Sequence, residues 1–173
     1  MTTIEFEVAF ESDWHIGTGV GHFGHLDRTY ARDEDGLPFI PAKSIVGLLR
    51  LSMSQIVHGL DSGASGPWHR ASEWLLGSEP NQESTTATFR ESPRPAHLHV
   101  GRAMISSELA SVLTSRAELK SSLSVVRPGV KLSELGTALD RHLRFTEMAP
   151  VGLVLKGSCS LPDGTPNGAV ALV

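Results

Sequence analysis

A chain of 173 residues with a formal net charge of −4 and one cysteine, Cys159, has room for a single α+β domain and no means of forming an intramolecular disulfide. The charge argues against a generic polyanion binder, since such domains are as a rule basic and draw affinity from phosphate neutralisation, so any nucleic-acid contact must come from local patches. No apolar run approaches the ~20 residues of a membrane helix, so neither a membrane partner nor a signal peptide is expected and the compartment reads as cytoplasmic. At this length folding removes roughly 70% of the unfolded surface from water, enough for a real core.

In chain order, MTTIEFEVAF alternates Ile4, Phe6, Val8 and Phe10 as a half-buried strand does. Residues 15–27 then form a loop in which Gly17, Gly19, Gly21 and Gly24 interleave with His15, His22 and His25. Such a backbone is free to take positive φ and to approach another chain closely, and it cannot pack a core. A short strand is expected over 28–31, a turn over 33–36, and a helix from Pro41, which suits a first turn. Within that helix Ile45, Leu48, Leu49, Met53, Ile56 and Val57 have the spacing of a buried face, while Lys43, Gly47, Arg50 and Ser54 line another side. Lys43, Ser44 and the free N–H groups of the first turn stand where a phosphate would be held, and Arg28 and Arg32 flank the loop exit. Further on, the pattern predicts a helix over 68–76 stopped by Gly77, an exposed loop over 78–95, and a strand over 97–105. A helix over 106–116 follows, then a strand over 119–127 ended by Pro128 and Gly129.

Read for chemistry, the loop offers two kinds of group. His22 and His25, in a flexible loop, would titrate near neutral pH. Asp27 offers one carboxylate, which either takes part in chemistry or merely caps the turn into 28–31. The three histidines, seven and three residues apart, lack the cysteine or carboxylate that would complete a zinc pattern. The glycines lack the G-x-G-x-x-G or G-K-S/T context of a nucleotide fold, so no organic cofactor is expected.

Four segments occur in a telling order: HIGTG at 15–19, Asp27, DEDGLPFIP at 33–41 and SIVGLLR at 44–50, followed by LRFTEMAPVGLVLKGSCSL at 143–161. This order resembles the RAMP superfamily of CRISPR-associated proteins. The resemblance implies a ferredoxin-like fold of RNA-recognition-motif type, an antiparallel sheet with helices on one face. One RAMP-like domain would then span 1–173, with the glycine-rich loop at about 15–27 and a thumb-like insertion at about 121–144. It further implies a subunit of a type III effector complex that binds CRISPR guide RNA and target RNA and assembles with other RAMP subunits. RNA contacts would come from His15, Gly17, Gly19, Arg28, Arg32, Lys43, Ser44 and Arg50, and from Arg127 on the thumb. Asp27 would cut guide-paired target RNA, helped by Mg2+ or another divalent metal. Two alternatives stay open: a non-catalytic assembly subunit, and a guide-processing ribonuclease working through His22 or His25. The sequence departs from the family pattern at Arg102 and Ala103, where an aspartate is usual, and over 126–130, where only Arg127 matches. The family's further helix and glycine-rich loop would also be missing after 161, which leaves a sheet edge to be completed by a partner.

Overall fold

The computed structural model describes residues 1–19, 21, 26–63, 66–78 and 94–173. They group into two compact units, Met1–Phe6 with Ala42–Arg102 and Ser158–Val173, and Glu7–Pro41 with Ala103–Gly157. The fold is α+β. Strands β1 (Thr2–Ala9), β6 (Val154–Leu161) and β2 (His99–Val100) lie in that order in one sheet, and β3 (Met104–Ile105) also pairs with β6. Both β2 and β3 run antiparallel to β6, with Val100 opposite Cys159 and Ile105 opposite Leu155. The alternation at the N-terminus is seen in β1, where Ile4, Phe6 and Val8 are half-buried and the residues between them exposed. The single strand expected over 97–105 is interrupted, because Ala103 turns to exchange hydrogen bonds with Ile40, at 2.9 and 3.0 Å.

In the first unit, helix α1 (Ala42–Leu60) begins directly after Pro41, as the proline suggests. Its buried face is narrower than expected: Ile45, Met53 and Val57 are buried, but Leu48 and Ile56 are 64% and 53% exposed. The buried side is one row at four-residue spacing, Ile45, the half-buried Leu49, Met53 and Val57, and Leu48 falls outside that row. Helix α2 (Pro67–Leu76) starts on proline and stops at Gly77, whose φ of 76° is open to glycine at little cost. Leu75 and Leu76 close on Met53, Leu98, Cys159, Leu161 and Ala169, the last from the short helix α5 (Asn167–Val170). Trp74 packs against this core and stacks on His97, with ring centroids 4.1 Å apart.

In the second unit, helix α3 (Ser107–Ser115) is capped by Ser106, which accepts a bond from the Leu109 N–H. The residues expected to open a strand at 119 instead form helix α4 (Ala117–Ser121), in keeping with the strong helix formers in AELKS. Leu37, Ile105, Leu113 and Leu123 make the core of this unit. Strand β4 (Val125–Leu132) and strand β5 (Ala138–Met148) then form a two-stranded antiparallel ribbon in the region expected to hold a thumb.

Pro128 and Gly129, expected to end a strand, lie inside the ribbon opposite Phe145 and Arg144. The N–H and C=O of Phe145 are directed to the loop at residues 27–28 on the other edge of β5, so Pro128 stands at a pair that needs no N–H from it. A proline there removes no ladder bond. The turn joining the strands closes through the Ser133 N–H to the Thr137 carbonyl at 2.8 Å, with Gly136 at a φ of 78°.

Candidate functional site

The glycine-rich loop stands on a firm base. Ala31 N–H donates to the Ile16 carbonyl at 2.8 Å, Thr18 N–H to the Thr29 carbonyl at 3.2 Å, and Gly17 bridges Tyr30, so both feet of the loop are zipped together. The backbone of Trp14 exchanges two hydrogen bonds with Ala149, and its ring stacks on Phe10 at 4.3 Å. The expected strand over 28–31 is realised as isolated bridges rather than as a continuous strand, because Arg28 pairs with Thr146 while Tyr30 pairs with Gly17.

Above this base lies a cavity of about 460 Å³ lined by His15, Gly17, Gly19, Asp27, Arg28 and Thr29. Asp27 is exposed, and its Oδ2 accepts a hydrogen bond from the Phe145 N–H at 2.7 Å. The Asp27 and Arg28 N–H groups in turn donate to the Phe145 carbonyl at 2.9 and 3.3 Å. His15 donates from Nδ1 to the Glu147 carbonyl at 2.7 Å; a carbonyl only accepts, so Nδ1 carries the proton and the other ring nitrogen faces Gly17. A Cβ at Gly17 would lie 2.9 Å from that His15 Nε2. Gly21 is tighter still, since a Cβ there would meet the Leu26 carbonyl oxygen at 2.4 Å and that of Asp27 at 2.5 Å. The close approach expected of these glycines is thus met at Gly21 by the chain's own backbone.

Glu147, which no sequence argument singled out, organises what lies beneath. Its carboxylate is buried, and Oε1 takes both the Arg32 guanidinium at 2.7 Å and the Ser124 hydroxyl at 2.6 Å. Arg32 also donates to the Gly36 carbonyl and lies over the Tyr30 ring at 4.1 Å. Tyr30 is buried and donates to the Leu123 carbonyl at 2.7 Å; burial first of all pushes its hydroxyl up to about 12. The signal for this cluster was the glutamate within LRFTEMAP, which periodicity alone does not separate from an exposed strand carboxylate.

The other site residues are placed as follows. Arg28 is exposed at the cavity rim, whereas Arg32 is engaged from below by Glu147. Arg127 pairs with Asp13 at 2.6 Å, and that guanidinium, together with the Val151 N–H, holds the Asp13 carboxyl below its usual range. Lys43 and Ser44 sit in the first turn of α1, in the first unit, with Lys43 exposed. In that same unit Arg50 donates to the carbonyls of Leu76 and Gly77, tying α1 to the end of α2. His22 and His25 lie outside the described residues. Among the described residues no group of three or more His, Cys, Asp or Glu side chains is placed to hold a metal, and no helix is long and apolar enough to cross a membrane.

Comparison with known proteins gives two kinds of match. One solved chain, from "Cryo-EM structure of the Type III-B Cmr-beta bound to cognate target RNA", superposes with a TM-score of 0.68 at 10% identity, covering 99% of this chain and 87% of that one. A second, from the same assembly in its apo state, gives a TM-score of 0.62 at 10% identity over 91% and 83%. At such identity these matches speak for the fold. No curated protein sequence matches. The family described as the RAMP superfamily matches residues 7–157, which takes in the loop, the Glu147 cluster and the ribbon. The chain belongs to the RAMP superfamily.

Proposed function

We propose that this chain is an RNA-binding subunit of a type III CRISPR interference complex and that Asp27 is the residue that cleaves guide-paired target RNA. The observation that carries this reading is the exposed Asp27 carboxylate, held by the Phe145 N–H in a cavity that also presents Arg28 and the backbone of Gly17 and Gly19. Membership of the RAMP superfamily and the likeness to chains of a type III-B assembly support it. A splayed nucleotide needs positioning more than it needs an elaborate acid–base apparatus, and a fixed carboxylate beside a cation supplies that.

Asp27 is one carboxylate, and the described residues supply no further ligand cluster, so it would hold a divalent ion only together with phosphate oxygens of the RNA, a mode that Mg2+ favours. When bound, such an ion supplies charge neutralisation at the scissile phosphate. This chain's own residues do the rest: Arg28 faces the backbone phosphate, Gly17 and Gly19 admit the sugar-phosphate chain at close range, and His15 buttresses the loop through Glu147. Lys43 and Ser44, in the first turn of α1, take guide phosphates in this reading.

One observation favours a second reading, an assembly subunit without chemistry. Oδ2 of Asp27 already satisfies a backbone N–H, which is a structural duty. The two are separated in the reconstituted complex by following a labelled target RNA with native chain, Asp27→Asn and Asp27→Ala, in Mg2+ and in chelator. Asn keeps an acceptor for Phe145 but removes the charge. Loss of cutting in both variants with retained RNA binding supports the nuclease reading; full cutting by Asp27→Asn makes the chain a scaffold.

A further inference from the structure

Strand β5 touches two things at once. On one edge, the Phe145 N–H donates to Asp27 Oδ2 at 2.7 Å, the Phe145 carbonyl takes the Asp27 and Arg28 N–H groups, and the Glu147 N–H donates to the Arg28 carbonyl at 2.9 Å. On the other edge, the same residues pair with β4, Phe145 opposite Pro128 and Glu147 opposite Val126. Alternation along the ribbon puts Val126, Pro128, Val130, Leu143 and Phe145 on one face with the buried Glu147 at its inner end, and the four large apolar side chains among them are between 37% and 57% exposed. The strand that carries this apolar face is therefore the strand that holds the carboxylate.

We infer that Phe145 is the positioning residue for Asp27: its N–H fixes the carboxylate, so that ribbon β4–β5 and Asp27 move as one piece and RNA seated on the ribbon sets where the carboxylate points. This rests on the reading of Asp27 as the cleavage residue. The coupling is stiff, since a slide of β5 by one residue, about 3.3 Å, would break the bond outright. It also accounts for the proline in β4, because the edge of Phe145 that a ladder would otherwise use is reserved for the loop.

The test replaces Phe145 with phenyllactic acid in the full chain, assembled with its partner subunits and guide RNA, so that the side chain stays and the N–H becomes an ester oxygen that cannot donate to Asp27. The expected result is a fall of about tenfold in single-turnover cleavage with KM unchanged within about twofold, the loss of one hydrogen bond to a charged acceptor. Phe145→Leu, which keeps the N–H, restores the rate relative to the ester. A rate equal to native, or a change confined to KM, overturns the inference. A second readout is independent of cleavage: in the free full chain, Asp27→Ala should speed hydrogen exchange of the Phe145 amide about tenfold, while Asp27→Asn should not. If the assembly does not cut at all, the nuclease reading falls and this exchange measurement alone decides the positioning; unchanged exchange in Asp27→Ala refutes it.

Discussion

Arg32 and Glu147 are 115 positions apart, and the burial of Glu147 makes the partnership obligatory. A carboxylate withdrawn from water needs a compensating charge or donors, and here it has the Arg32 guanidinium and the Ser124 hydroxyl. Arg32→Ala should cost about 3 kcal/mol in urea unfolding because the buried carboxylate is stranded, whereas Arg32→Lys should recover only part of this, lacking the fork and the stack on Tyr30. Tyr30 adds an alkaline signature. Its folded value lies above the ordinary tyrosine value of 10, at about 12, so its contribution to stability is complete below pH 10 and is lost as pH rises from 10 towards 12. Tyr30→Phe should flatten that limb of the stability profile, and it leaves the Leu123 carbonyl without its donor, at a cost of about 1 kcal/mol. Gly21→Ala tests the loop itself: the added Cβ collides with backbone at Leu26 and Asp27, so the main chain carrying the carboxylate must shift. On the proposed cleavage reading, cutting should fall at least about tenfold with the thermal midpoint little changed, because Gly21 is exposed and belongs to neither core cluster.

Elements show where local pattern is enough and where it is not. Helix α2 is set by Pro67, by Gly77 and by Asp61, whose carboxylate accepts from the Trp68 N–H at 3.3 Å and from the backbone N–H and Nδ1 of His69 at 2.8 and 2.7 Å. Burial alone would raise the Asp61 carboxyl, but these donors prevail and hold it below its usual range. A lowered carboxylate stabilises the fold above its unfolded value and ceases to do so as pH falls through the folded one. The acid limb of unfolding should therefore move to higher pH in Asp61→Ala, read by circular dichroism. The ribbon obeys different physics. With Leu143 and Val130 exposed, Leu143→Ser and Val130→Ser should change stability by less than about 0.5 kcal/mol, yet weaken RNA binding if the apolar face meets bases. Unchanged RNA affinity in both would remove the ribbon face from the interface.

For the molecule as a whole, a net charge of −4 means that the RNA affinity proposed above would rest on a few well-placed cations rather than on a field. Arg28 and Lys43 are exposed, Arg127 is shared with Asp13, and Arg32 and Arg50 are engaged in holding the fold. A plot of log affinity against log salt for the assembled subunit should accordingly be shallow, with a slope on the order of −2 to −3 contributed by this chain, against the far steeper dependence of strongly basic binders. Much of this was legible in advance. The start of α1 follows from Pro41, helix α2 from its own punctuation, and the family from the ordered motifs at 15–50 and 143–161. The sequence could not show that three of the four arginines read as RNA contacts have protein partners, because those partners are remote in the chain: Glu147 for Arg32, Asp13 for Arg127, and the carbonyls of Leu76 and Gly77 for Arg50.

By itself, then, the sequence determined what depends on near neighbours: where proline starts a helix, where glycine stops one, and the order of motifs that identifies the family. Only the tertiary structure decided which edge of β5 receives Asp27, why Pro128 is tolerated inside a strand, and which cations remain exposed. Those outcomes are set by strand register and by hydrogen bonds and ion pairs between residues remote in the chain, whose energies depend on burial that no local window contains.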